Sequence, residues 1–162
     1  MRELQQQRYG VAASELQEAL LLDPEATYAL NAWGVVLARR DQDDSAATIY
    51  KLAMKRAPNW IFPRSNLAII LNHRGAYAEG IAVLHAALRV DSTSSRVYDI
   101  LGSVYENLGR YREAEAAYRK AMALAPHNID AYIDLASLFR TKGNYPAAGT
   151  SLDSARVHAA EG

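Results

Sequence analysis

The residues with which this chain could do chemistry are four histidines, a few clustered hydroxyls and a set of carboxylates. His73, His85, His127 and His158 share no spacing of three or four. No helix would therefore present two imidazoles on one face, as a helical metal pair requires. They read as exposed or turn residues. The stretch "GTSLDS", Gly149 to Ser154, is rich in hydroxyls but falls in a helical pattern with no base nearby. No G-x-S-x-G, H-E-x-x-H or G-x-x-x-x-G-K-[ST] string occurs, so nucleophilic, zinc-hydrolytic and P-loop chemistry lack their usual carriers. There is no cysteine, hence no thiolate metal site and no disulfide framework. In "YREAEAAYRK", Arg112 with Glu113 or Glu115 reads as a solvated charged face. The expectation is a chain without catalytic residues, cofactor or metal site.

Composition narrows the partners. The 162 residues carry 18 basic and 18 acidic side chains, a net charge of zero. A nucleic-acid partner is disfavoured, because phosphate binding calls for a basic stripe. The N-terminal "MRELQQQRYG" lacks the apolar core of a signal peptide. No apolar run approaches the ~18 residues of a spanning helix, so no membrane partner is expected for this segment. Cytoplasmic and periplasmic settings are both compatible with it.

The elements that must position these residues are set by a period of 34. Ala19, Ala53, Ala87, Ala121 and Ala155 form one column. Ala12, Ala46, Gly80, Ala114 and Ala148 form a second, and Gly34, Ala68, Gly102 and Ala136 a third. Large apolar residues keep the same phase at Leu16, Tyr50, Leu84, Tyr118 and Leu152, and at Trp33, Leu67, Leu101 and Leu135. Turn residues recur at Gly75, Gly109 and Gly143, and at Pro24, Pro58 and Pro126. The units run 1–26 (partial), 27–60, 61–94, 95–128 and 129–162, in a single array over 1–162. Tyr98, Leu101, Tyr105 and Leu108 predict a first helix, and Gly109 ends it. Ala114, Tyr118 and Ala121 predict a second, which stops before Pro126. Strand alternation is absent. Gly or Ala at a helix crossing lets backbones approach while Tyr, Trp or Leu fills the neighbouring gap.

The pattern Tyr98-x2-Leu101-Gly102-x2-Tyr105, Ala114-x3-Tyr118, Pro126 resembles the tetratricopeptide repeat family. Arg64, Ser92, Asp41 and Asp43 depart from it at single columns, and Asp43–Asp44 are expected to cap the following helix. The resemblance implies an all-α fold, a right-handed α-solenoid of antiparallel helix pairs with about four and a half repeats. It also implies that the first helix of each pair lines a concave groove for peptides or partner proteins.

The inward columns then supply candidate binding residues. Tyr28, Asn31, Val35, Phe62, Asn66, Ile69 and Asn72 give an apolar and amide-rich half. Arg96, Asp99, Glu106, Asp130 and Asp134 give a mainly acidic half. An extended peptide with an apolar and a basic portion would suit them, the amides bonding its backbone. The family's clamp for chaperone C-termini matches only at Asn66 and Arg96. Its asparagine ladder, known from the N-acetylglucosamine transferase, matches only at "SNLA", Ser65 to Ala68. Neither specialised function carries over.

In "PNWIFPRSNLA", Pro58 to Ala68, the triplet reads as a turn plus a helix start, with Pro63 tolerated in the first turn. Trp60 and Ile61 are expected to pack between repeats. Phe62 is expected to be an exposed anchor beside Tyr28 and near Asn66. At the ends, Leu152 and Ala155 are expected to be partly uncovered, as in a segment of a longer protein or one that self-associates. The favoured function is a non-catalytic protein- or peptide-binding scaffold. The alternatives are the recognition segment of a larger enzyme, such as a transferase, and a self-associating structural array.

Overall fold

The computed structural model describes residues 2–23 and 26–160, without the side chains of residues 2–8, Gln17 and Ala160. Pro24, from the proline column, and the two chain ends lie outside the described residues. The helices are α1 (Arg2–Leu22), α2 (Thr27–Arg39), α3 (Asp43–Arg56), α4 (Phe62–His73), α5 (Tyr77–Val90), α6 (Ser95–Asn107), α7 (Tyr111–Leu124), α8 (Ile129–Thr141) and α9 (Tyr145–Ala160). No strand occurs among the described residues, as the absence of alternation predicts. No described helix is long and apolar enough to cross a membrane.

The chain forms two compact units, Met1–Ile70 and Leu71–Gly162. In the first, α2 packs on α1 and α3; in the second, α5 to α9 pack in sequence, and α6 also touches α8. The helix pair α6–α7 is the predicted one, with Gly109 between its members.

Each helix pair closes on the same turn. Gly75, Gly109 and Gly143 take φ of 71°, 78° and 72°, and Asp41, one period earlier, takes 58°. Around Gly109, its own N–H donates to Glu106 O (2.9 Å) and Arg110 N–H donates to Tyr105 O (2.8 Å). These two bonds satisfy carbonyls that the helix end would leave unpaired, in a Schellman motif. The same pair of bonds recurs at Asp41–Gln42, Gly75–Ala76 and Gly143–Asn144. The turn therefore survives the loss of glycine at Asp41, at the cost of a residue in the left-handed region.

The helix starts are less uniform. Ser94 Oγ accepts from Val97 N–H at 3.4 Å, and Asn128 Oδ1 accepts from Asp130 N–H at 3.2 Å. The expectation that Asp43–Asp44 cap α3 is corrected. The cap position is Gln42, which makes no side-chain capping bond, and both aspartates sit in the first turn. There their charge meets the positive end of the helix dipole instead.

The small-residue columns sit at helix crossings. Ala53, Ala87 and Ala121 are fully buried. A β-carbon at Gly102 would lie 2.6 Å from the Tyr118 ring, and one at Gly34 would overlap the Tyr50 ring in the same way. Both tyrosines are buried. Glycine thus stands where the facing residue is tyrosine. Two ends of the columns differ. Ala19 is exposed on α1, so identity of residue does not ensure equal burial. Ala155, expected to be partly uncovered, is only 7% exposed, whereas Leu152 on the same helix is exposed as expected.

Candidate functional site

In the first unit, Tyr28, Asn31 and Val35 follow one another at three and four on α2, which puts them on one face. Phe62, Asn66 and Ile69 do the same on α4. Asn66 Nδ2 donates to Asn31 Oδ1 at 3.0 Å, which joins the two faces. Because Asn31 receives through its oxygen, its amino group is the end left to donate outward. No bond of the described residues uses that group.

The aromatic residues form a row rather than the expected pair. The Trp60 ring lies 4.6 Å from Tyr28 at an interplanar angle of 53°. It lies 5.9 Å from Phe62 at 44°. Tyr28 is 77% exposed, Phe62 46% and Trp60 half-buried. The expectation that Trp60 is packing material is therefore amended: it bridges the two exposed rings. Sequence reasoning missed it because it stands in the turn, outside the helical columns. The signal was there, since Trp60 shortly precedes the helix whose first residue is Phe62. Ser65, by contrast, is fully buried, and its hydroxyl bonds back to Ile61 O at 3.2 Å.

In the second unit the face belongs to α6 and α8. Burial, with Asp134 and Asp130 nearby and only Arg96 opposing, pushes the Asp99 carboxyl up to about 7. Burial, then Glu106 and Asp130, also raise that of Asp134. Asp99 Oδ1 is buried and makes no hydrogen bond among the described residues. Glu106 accepts from the Tyr118 hydroxyl at 3.0 Å. The ring that fills the space at Gly102 thereby also holds a carboxylate of the acidic face. Arg96 and Asp130 are exposed.

Asn72 departs from expectation. It is only 7% exposed. Its amino group donates to Ser103 Oγ (3.2 Å) and its oxygen accepts from Asn107 (3.0 Å). Within the second unit the amide bonds the last turn of α4 to α6, so it supports the face rather than serving it.

The hydroxyls and charged groups weighed as carriers of chemistry are otherwise engaged. Thr150, Ser151 and Ser154 bond back to carbonyls one turn earlier, the usual fate of helical hydroxyls without a partner base. In the charged stretch on α7, Glu113 pairs with Arg110 at 2.6 Å, and Glu115 with Arg119 and Lys142. Arg112 is not the partner expected for either. No group of three His, Cys, Asp or Glu among the described residues is placed to hold a metal ion.

Two family models match the sequence, both described as tetratricopeptide repeat, over residues 1–59 and 95–128. No curated protein sequence matches. Among solved structures, a thermophilic tetratricopeptide repeat protein of Thermus thermophilus is 22% identical, with 98% of this chain and 87% of that one covered at a TM-score of 0.85. PilF of Pseudomonas aeruginosa is 23% identical, with 96% and 71% covered at 0.81. YrrB, described as a repeat protein of this kind with an unusual peptide-binding site, is 19% identical, with 94% and 79% covered at 0.65. These likenesses carry the fold.

Proposed function

The chain belongs to the tetratricopeptide repeat family, and from that premise we propose that it is a non-catalytic scaffold that binds protein segments on the first-helix faces of its repeats. The period of 34 runs through both compact units, which supports reading residues 1–162 as one repeat array. The observation that carries the binding proposal is the row Tyr28–Trp60–Phe62 beside the Asn31–Asn66 amide pair. Exposed aromatic rings supply large contact area at low entropy cost. An amide whose orientation is fixed can donate to a peptide carbonyl. The first unit is thus equipped for an extended segment with apolar side chains. That YrrB is described as having a peptide-binding site on the same fold adds support.

The second unit is equipped differently. Glu106 and Asp130, joined by Asp99 and Asp134 as these lose their protons, gather negative charge on α6 and α8, which favours a basic segment. Such complementarity acts mainly on the rate of association and on selectivity.

A random displayed peptide library selected on the intact chain tests the proposal. Apolar extended peptides whose binding falls with Phe62→Ala are the expected yield. Recovery of no peptide, or of peptides indifferent to Phe62→Ala and Tyr28→Ala, would reject the first-unit face.

A further inference from the structure

The spacing rule that excludes a histidine pair on one helix does not exclude a pair made by tertiary packing. His127 stands in the turn before α8, and His158 in the last turn of α9. Their ring centroids are 5.9 Å apart, with the rings at 90°. His158 also rests 5.2 Å from the ring of Tyr132, which is buried. One imidazole thus rests against a buried ring. The other, His127, is exposed on a turn fixed by Asn128 N–H donating to Ala125 O at 3.0 Å.

We infer that His127 and His158 form a two-imidazole site for a borderline transition-metal ion of the Zn2+, Ni2+ or Cu2+ class. Imidazole nitrogen is the ligand these ions favour. Metal–nitrogen bonds of about 2.0–2.1 Å on each side, added to the ring radii, span a separation of this size. The edge-on arrangement requires one ring to turn its nitrogen inward. His127 is the ring able to do so, because it is exposed and its χ2 torsion is broad. With no third His, Cys, Asp or Glu grouped there among the described residues, the remaining positions go to water or to a donor from a partner. The site is therefore open and sensitive to chelators. It belongs to the second unit and does not depend on the binding proposal above.

Calorimetric titration of the untagged chain with NiCl2 and with ZnCl2 tests this. Saturable binding of one ion per chain, reversed by EDTA, is the expected result. His127→Ala and His158→Ala should each weaken it by at least about tenfold, one decade in Kd, while His73→Ala and His85→Ala leave it unchanged. No saturable binding to the native chain, or equal binding by both variants, overturns the site. If His158→Ala disturbs α9, as circular dichroism would show, His127→Ala on the exposed turn decides alone.

Discussion

The Tyr118 ring occupies the space that a β-carbon on residue 102 would need. That carbon would sit 2.6 Å from ring atoms of a side chain that is itself buried. Glycine at 102 and tyrosine at 118 are therefore one packing decision. Gly102→Ala should destabilise the protein by ~1–3 kcal/mol through overpacking. Tyr118→Leu alone should also destabilise, by leaving a cavity and removing the bond to Glu106. The double variant should recover part of the sum, because a smaller side chain admits the new methyl. The native sequence pairs Ala136 with Leu152 in the same columns. Denaturant unfolding of the four proteins measures the coupling, and strict additivity would contradict the pairing.

Asp41 holds a φ of 58° where its equivalents are glycine. Asp41→Gly should therefore stabilise the chain, by up to ~1 kcal/mol, since glycine takes that conformation without steric cost. Asp41→Val should destabilise by more, because a branched β-carbon is strained there. Thermal midpoints of the two variants check the sign.

Asp99 makes stability depend on pH in a defined direction. Its carboxyl is raised from 3.8 to about 7 in the folded chain. The folded state thus holds a proton that the unfolded state releases between those values. The contribution is full below about pH 4 and is lost as pH rises through 7. Asp99→Asn should raise the melting midpoint at pH 8 and change it little at pH 4. An equal shift at both values would contradict the origin in the buried charge.

On α9, Tyr145, Leu152 and Val157 are exposed. Apolar side chains gathered on one helix favour association. Sedimentation over a hundredfold range of concentration should show a rising mean mass. Leu152→Lys should reduce that rise without unfolding the chain, and a mass constant in both proteins would oppose it.

What the sequence made legible was whatever repeats. The helix pairs, the glycine turns and the alanine columns follow from a period that needs no partner to be seen. Single departures were harder. Asp41 could be read as a lost glycine, yet its backbone bonds show that the turn persists. The proposed face was legible in part, because Tyr28, Phe62, Asn31 and Asn66 lie on helical columns. Trp60 was not, since its placement depends on how the turn brings it between two rings. Asn72 was misjudged for a similar reason. Whether an inward amide meets solvent or Ser103 and Asn107 is decided by the neighbouring helix. The His127–His158 contact joins a turn to a distant helix end, a relation that no local spacing encodes.

The central claim is that the exposed aromatic row binds a partner segment and is not core. The most direct measurement is the affinity of the tightest library-selected peptide for Phe62→Ala, alongside the unfolding free energy of that variant. The row predicts a loss of ~1–2 kcal/mol in binding, as for an anchor truncation, with stability nearly unchanged. An unchanged affinity, or a stability loss of ~3–5 kcal/mol as for a buried phenylalanine, would contradict it.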